Sequence, residues 1–249
     1  MRELVSVASK RKDPKFEIQF WSEPATVSLI ECARDPLNTI GVTTRGYSGV
    51  YSSDSVTDEE IALATSDLNS TKLGTPLEMI YQVFLIRDVT RSFTHQLVRT
   101  RLASYVQESM RFLGHQSIYK VRVPNSIINN AEAFKLYIDS CSASIESYEE
   151  IQANGISGEE SREVLPHSIL TSIFMGISMS SLRKMYAQRM CCQAQPGQWQ
   201  IVMKQIKDLL IQNYGEEIRN LISAPYERGE SCGYRASFDR PCSWQKDKP

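Results

Sequence analysis

The sequence predicts an α+β fold, and two observations predict it. Short β-prone runs, Lys15 to Trp21, Met79 to Arg87 and Ile118 to Val123, either alternate apolar with polar residues or string Ile, Val, Tyr and Phe together. Helical patterns separate and follow them. The longest, Asn130 to Ala153, repeats Ala133, Phe134, Tyr137, Ile138, Cys141, Ile145 and Tyr148 at helical spacing and stops before Gly155. With 249 residues and 41% hydrophobic content the chain can bury a core. It shows no linker, repeat or low-complexity run, so we read one domain over residues 1–222 and a C-terminal extension over 223–249.

In chain order, Phe16, Ile18 and Phe20 mark one face of the first strand. Ser28 to Arg34 reads as a short helix, and Thr43 to Ser53, rich in Gly and Ser, as a surface loop. Thr57-Asp-Glu-Glu60 is a capping box that opens a helix toward Leu68. Thr75-Pro-Leu-Glu78 reads as a second box, with proline at the first helical position, where its missing N–H costs nothing. The strand from Met79 feeds a helix over Val89 to Arg101, in which Phe93, Leu97 and Val98 recur and Asp88 is the expected N-cap. After Arg101 the helical pattern frays. Pro124 closes the third strand, Leu165-Pro166 ends a short helix, and Ser168 to Met179 reads as a strand. Helices over Ser180 to Cys191 and Trp199 to Tyr214 complete the pattern, separated by Pro196-Gly197.

A net charge of −1 argues against a protein that coats nucleic acid, which needs many uncompensated Lys and Arg. No apolar run reaches the ~20 residues of a membrane span, and Met1-Arg-Glu-Leu does not resemble a secretory signal. The expectation is a cytosolic (cytoplasmic) protein with no membrane partner. The six cysteines lack CxxC and zinc-finger spacing, so free thiols and no metal site are expected.

One stretch asks for an anion. Gln96 to Phe112 holds Arg99, Arg101 and Arg111 with Ser104 and Ser109. Two residues apart on a helix means about 200° around its axis, so Arg99 and Arg101 suit two adjoining ligands better than one. A hydroxyl, a backbone N–H and a guanidinium near Ser109 and Arg111 match phosphate oxygens, because the arginine fork meets two oxygens at once. The competing reading is a solvated face with surface salt bridges.

Arg99-Thr100-Arg101, seven residues and then Ser109 resembles the R-H-R-x7-S signature of the flavin-dependent thymidylate synthases. Further segments extend the resemblance over roughly residues 70 to 215: Thr75-Pro76-Leu77-Glu78, Ser104-Tyr105, Arg111, Arg162-Glu163-Val164-Leu165-Pro166 and Arg189. It implies an α+β fold with a mostly antiparallel sheet flanked by helices. It also implies a homotetramer with active sites between subunits, with FAD, NADPH and methylenetetrahydrofolate as cofactors and co-substrates. No GxGxxG loop is present, and none is needed where the flavin lies between chains.

The implied reaction adds one carbon to C5 of a uracil ring. A cysteine thiolate can activate such a ring; hydride chemistry from a reduced flavin needs no protein nucleophile. The signature block holds no Cys, which favours the flavin route. By the resemblance, Arg189 stabilises charge at a uracil carbonyl and Ser109 orients the nucleotide, these two being the catalytic candidates. Gln96, Arg99, Ser109, Met110, Arg111, Arg162 and Arg189 hold the nucleotide. Thr75, Glu78, Arg99, Arg101, Leu102, Gln107, Ser178, Ser180 and Lys184 face the flavin. Cys191 and Cys192 follow Arg189, and a thiol beside a cation has a lowered pKa, so a thiolate route is the local rival.

This chain departs from the family pattern where Thr100, Leu73 and Gln193 replace histidines. Such drift fits weaker flavin binding, a different nucleotide such as UMP, as in the UMP/dUMP methylase offshoot of the family, or loss of activity. The alternative to an enzyme is a nucleotide-binding oligomeric scaffold that kept the arginines and lost the flavin chemistry.

Overall fold

The computed structural model describes residues 2–10, 16–71, 73–112, 117–191 and 197–230. The strands are β1 (Arg2–Ala8), β2 (Glu17–Ser22), β3 (Thr26–Cys32), β4 (Tyr81–Thr90), β5 (Ala103–Gln107), β6 (Ile118–Arg122) and β7 (Leu170–Ser178). The helices are α1 (Pro36–Arg45), α2 (Asp58–Ser70), α3 (Arg91–Leu97), α4 (Asn125–Ile128), α5 (Ala131–Ala153), α6 (Gly158–Ser161), α7 (Met179–Arg189), α8 (Gln198–Tyr214) and α9 (Ile218–Leu221). One sheet has the order β1-β2-β6, the other β3-β4-β7-β5. The chain forms two compact units. One takes residues up to 26, 86–99 and 105–174; the other takes 27–85, 100–104 and the chain from 175.

In the first unit β1 runs antiparallel to β2, pairing Val7 with Ile18, and β2 runs parallel to β6, pairing Phe20 with Val121. The alternation read from the sequence places Phe16, Ile18 and Phe20 in the core, and α5 lays Cys141, Ile145 and Tyr148 over them. Phe16 meets the Tyr119 ring edge-on at 5.4 Å, and the Tyr119 hydroxyl donates to Glu149. Asn130 caps α5, accepting from Ala133 N at 3.0 Å, and Gly155 takes the positive φ of +85° that ends this segment.

Four expectations are corrected. Residues 28–34 are not a helix: Val27, Leu29 and Ile30 carry β3 through Cys32, and the helix starts at Pro36 once the Asp35 carboxylate accepts from Asn38 N at 3.0 Å. That helix runs through Arg45, so only the later part of Thr43 to Ser53 is loop. Asp88 is not an N-cap. It sits inside β4 with φ +55°, and Thr90 caps α3, accepting from Phe93 N at 3.1 Å; the helix ends at Leu97, short of Arg101. Thr75–Glu78 forms one 3-10 turn without a side-chain cap. The other boundaries agree within a few residues.

In the second unit Thr57 and Glu60 close the expected capping box reciprocally. The Glu60 carboxylate also receives Arg45 Nη2 at 2.6 Å, which holds its pKa below the usual carboxylate range. Arg45 donates as well to the carbonyls of Asp54 and Ser55, tying that loop to α1. Leu182, Met185, Trp199, Val202, Met203 and Ile206, from α7 and α8, are fully or almost fully buried. Past α9, the Glu227 carboxylate gathers Lys207 Nζ at 3.1 Å, the Tyr186 hydroxyl at 3.2 Å and the Ala224 N–H at 2.7 Å. Cys192, Gln193, Pro196, Cys232 and Cys242 lie outside the described residues.

Candidate functional site

The site-building part of the first unit begins with short α3. Its first residues are tied to the segment before β7: Arg91 N donates to Ile169 O at 3.3 Å and Ser92 N to His167 O at 3.1 Å. That pairing sets His95 and His167 edge to face with ring centroids 5.4 Å apart. Arg162, in the 3-10 turn after α6, and buried Met110 complete a cleft of about 330 Å³ with Arg91, His95, Glu163 and His167. Burial and then the Arg162 cation hold the Arg91 pKa down, with Glu108 opposing. Burial, then Arg91, then His167 do the same for His95. The cleft thus sets the guanidiniums of Arg91 and Arg162 near each other, beside an imidazole held toward its neutral form, and an anion would offset the repulsion between the two arginines.

Two hydrogen bonds fold the following segment back on α3: Tyr105 Oη donates to Leu97 O at 2.9 Å, and Gln107 Nε2 to Thr94 Oγ1 at 2.8 Å. Beyond Gln107 the chain turns. The Arg111 backbone N and side-chain Nε both donate to Ser109 Oγ, each at 3.4 Å, so the hydroxyl and the guanidinium stand together in this turn. Arg111 Nη1 lies 3.6 Å from one Glu159 carboxylate oxygen and Arg162 Nη2 3.4 Å from the other. One carboxylate thus joins two of the candidate arginines. Gly158 permits this approach, since a Cβ there would meet the Arg111 carbonyl oxygen at 2.6 Å. Gln96 is half-buried on α3 and Arg99 exposed just beyond it, its N–H donating to Gln96 O at 3.3 Å.

The remaining candidates fall in the second unit. Thr75 lines a cleft of about 500 Å³ whose walls include Tyr47, Tyr51 and Met79; Thr43 and Ser52 also line it, their hydroxyls donating to Thr39 O and the Asp54 carboxylate. Glu78, Arg101 and Lys184 are exposed, as is Leu102. The Ser178 hydroxyl caps α7, accepting from Ser181 N at 3.3 Å, and Ser180 is buried near Gly74. Arg189 lays its guanidinium over the Trp199 ring at 4.4 Å, and burial lowers its pKa. Cys191 is half-buried.

Sequence reasoning missed Arg91, His95, His167 and Glu159. Arg91 and His95 stand four apart, one helical turn, which was a usable signal. His167 reaches the cleft through pairing with Ser92 that no local pattern announces, whereas Glu159 pairs with Arg162 three residues on, and only its contact with Arg111 is long-range.

A family model described as thymidylate synthase complementing protein matches residues 29–213. The flavin-dependent thymidylate synthase of Pyrococcus abyssi is 27% identical over 203 residues, covering 79% of this chain and 82% of that protein. The one from Nitratidesulfovibrio vulgaris is 26% identical over 241 residues, covering 92% and 94%. Among solved structures, the UMP/dUMP methylase PolB from Streptomyces cacaoi, bound with 5-Br dUMP, superposes with a TM-score of 0.69 at 17% identity, covering 80% of this chain and 96% of that one. Thymidylate synthase X from Helicobacter pylori, with FAD and dUMP, gives 0.60 at 17% identity, covering 80% and 97%. The α+β architecture of mostly antiparallel strands flanked by helices is shared with both. With the family model spanning most of its length and the arginine block standing inside that span, this chain belongs to the flavin-dependent thymidylate synthase family.

Proposed function

We propose that this protein methylates C5 of a uridine-type nucleoside monophosphate, converting dUMP to dTMP and also accepting UMP, with FAD, methylenetetrahydrofolate and NADPH. The observation that carries this reading is the grouping of Ser109, Arg111 and Arg162 around Glu159, beside the cleft that Arg91 and Arg162 share, in a chain of this family. Phosphate is the anion that such forks and hydroxyls match. Arg111, Arg162 and Ser109 hold that phosphate, with Gln96, Arg99 and Met110 completing the nucleotide pocket. Arg189 faces a uracil carbonyl and stabilises charge as it develops there; its guanidinium is already oriented by the Trp199 ring. Ser109 orients the nucleotide and forms no bond to it.

The residues present fit a flavin nucleotide. The exposed Thr75 hydroxyl and the rings of Tyr47 and Tyr51 on that cleft supply a hydrogen-bonding group for a polyol or phosphate and faces for a planar ring. Thr75, Glu78, Arg99, Arg101, Leu102, Gln107, Ser178, Ser180 and Lys184 would hold it. When bound, the flavin supplies the hydride chemistry that dispenses with a protein nucleophile. The protein works in the cytoplasm as a homotetramer with sites between subunits, its catalytic domain spanning residues 1–222 ahead of an extension whose start stays bonded to α7 and α8 through Glu227. Leu102 and Val106, 71% and 70% exposed in the single chain, support a covering partner. No helix among the described residues is long and apolar enough to cross a membrane.

The test is turnover of the purified protein with FAD, NADPH and methylenetetrahydrofolate on dUMP and UMP in parallel, followed by product mass. A gain of one methyl on both is the expected result. Gain on dUMP alone restricts the enzyme to thymidylate synthesis. No gain on either, with flavin bound, refutes the methyltransferase reading and favours the nucleotide-binding scaffold.

A further inference from the structure

Glu159 has no place in the nucleotide pocket as proposed above, yet it touches two of the arginines that pocket relies on. Its carboxylate gives one oxygen to each, at 3.6 Å to Arg111 and 3.4 Å to Arg162. Both contacts are long, single-pronged and half-exposed, the kind of ion pair that contributes little and is readily exchanged. Its presence there follows from the local fold. The neighbouring Glu160 carboxylate is taken by Ser157, whose hydroxyl donates to it at 3.0 Å and accepts from Glu160 N at 3.3 Å. Gly158 packs the turn against the Arg111 backbone, so the next side chain, Glu159, is the one delivered to the arginines.

Neither arginine depends on that carboxylate for its position. Arg111 is held by Ser109 Oγ through two N–H groups, and Arg162 Nε donates to the main-chain carbonyl of Glu159 at 3.1 Å. The side-chain charge therefore balances the two guanidiniums without being needed to place them. We propose that Glu159 is a stand-in anion, occupying Arg111 and Arg162 until the phosphate of the nucleotide displaces it. This rests on the nucleotide reading above and adds to it a source of discrimination. A ligand carrying a phosphate dianion recovers more from the arginines than it loses by displacing one carboxylate, through charge and bidentate geometry. A nucleoside without phosphate does not engage them.

The consequence is opposite in sign to that of an ordinary supporting residue: neutralising Glu159 should tighten nucleotide binding. Removing one negative charge several ångströms from a bound dianion in a half-exposed setting is expected to lower the dUMP dissociation constant about fivefold to tenfold. The gain should shrink as salt is raised.

The experiment is calorimetric titration of the full-length flavin-loaded protein and its Glu159→Gln and Glu159→Ala variants with dUMP and with 2′-deoxyuridine. Both variants should bind dUMP more tightly, bind 2′-deoxyuridine as the parent does, and show a lower KM for dUMP. If the parent binds dUMP while both variants bind it equally or more weakly, the stand-in role is overturned and the nucleotide reading survives. If dUMP and 2′-deoxyuridine tighten equally, the effect is general and the role is likewise overturned. If the parent does not bind dUMP at all, both readings fall together.

Discussion

Replacing Gly158 by alanine tests whether the turn behind the arginines positions them. The added methyl would lie 2.6 Å from the Arg111 carbonyl oxygen and 2.8 Å from Gln152 Nε2. The glutamine amide can swing away; the carbonyl is main chain and cannot. Ordinary contact begins near 3.4 Å, so about 0.8 Å must be opened between α6 and the Ser109 to Arg111 turn. Overpacking of this sort costs about 1–3 kcal/mol, and the better helix propensity of alanine returns at most ~1 kcal/mol. With a net loss of about 1–2 kcal/mol and the ~2–4 °C per kcal/mol typical of chains this long, Tm should fall by roughly 2–8 °C. The larger effect should be functional. Misplacement of a binding group by ~1 Å can cost up to ~10²-fold in rate, so kcat/KM for dUMP should drop by at least about tenfold. Gly155→Ala is the matched control: it forces a side chain into φ +85° with nothing within 4 Å to strike. It should lower Tm by a similar amount and leave dUMP kinetics near the parent values. A Gly158→Ala protein with parental Tm and parental kcat/KM refutes the reasoning. So does a Gly155→Ala protein whose kinetics suffer equally.

Other outcomes follow from contacts already described. Arg189→Met keeps an aliphatic stem over Trp199 while deleting the charge, so turnover should fall by more than ~10²-fold, a loss typical of a removed charge stabiliser, with Tm within a few degrees of the parent. Thr90→Ala removes the α3 cap and should lower stability by about 1 kcal/mol in a denaturant titration, since Phe93 N loses its acceptor. For His95 the sign is set by a folded-state pKa lowered through burial, Arg91 and His167. The unfolded chain takes up this proton first, so its contribution is fully present above about pH 6.5 and declines as the pH falls below that value. Thermal melts of parent and His95→Gln from pH 7.5 to 5 should show the shallower acid decline in the variant.

Much of this molecule was legible because its elements are locally consistent. The Asn130 cap, the apolar stripe of α5 and Gly155 agree on one helix, and Thr57 with Glu60 announces another from four residues. Residues 28–34 misled because seven residues with only partial apolar spacing do not separate helix from strand; pairing in the sheet decided for β3. Asp88 misled for a different reason. It has the right chemistry for a cap, but β4 continues two residues further and gives the role to Thr90. At the site, Ser109 and Arg111 could be paired from sequence because they are two apart. Their connection to Arg162 runs through Glu159, about fifty residues downstream, and no spacing rule reaches that far.

The carboxylate of Glu227 has a bearing on where this protein ends as a folding unit. Lys207 is almost fully enclosed, and Tyr186 is more so. Both answer to a residue lying past the last helix, and so does the main chain at Ala224. A chain stopped at residue 222 would leave an ammonium group inside α8 with no counter-charge, a far heavier loss than trimming a solvent-exposed tail. The segment from Ser223 to Arg228 is therefore a plug for the α7 and α8 pair, and shortened versions of the protein should retain it.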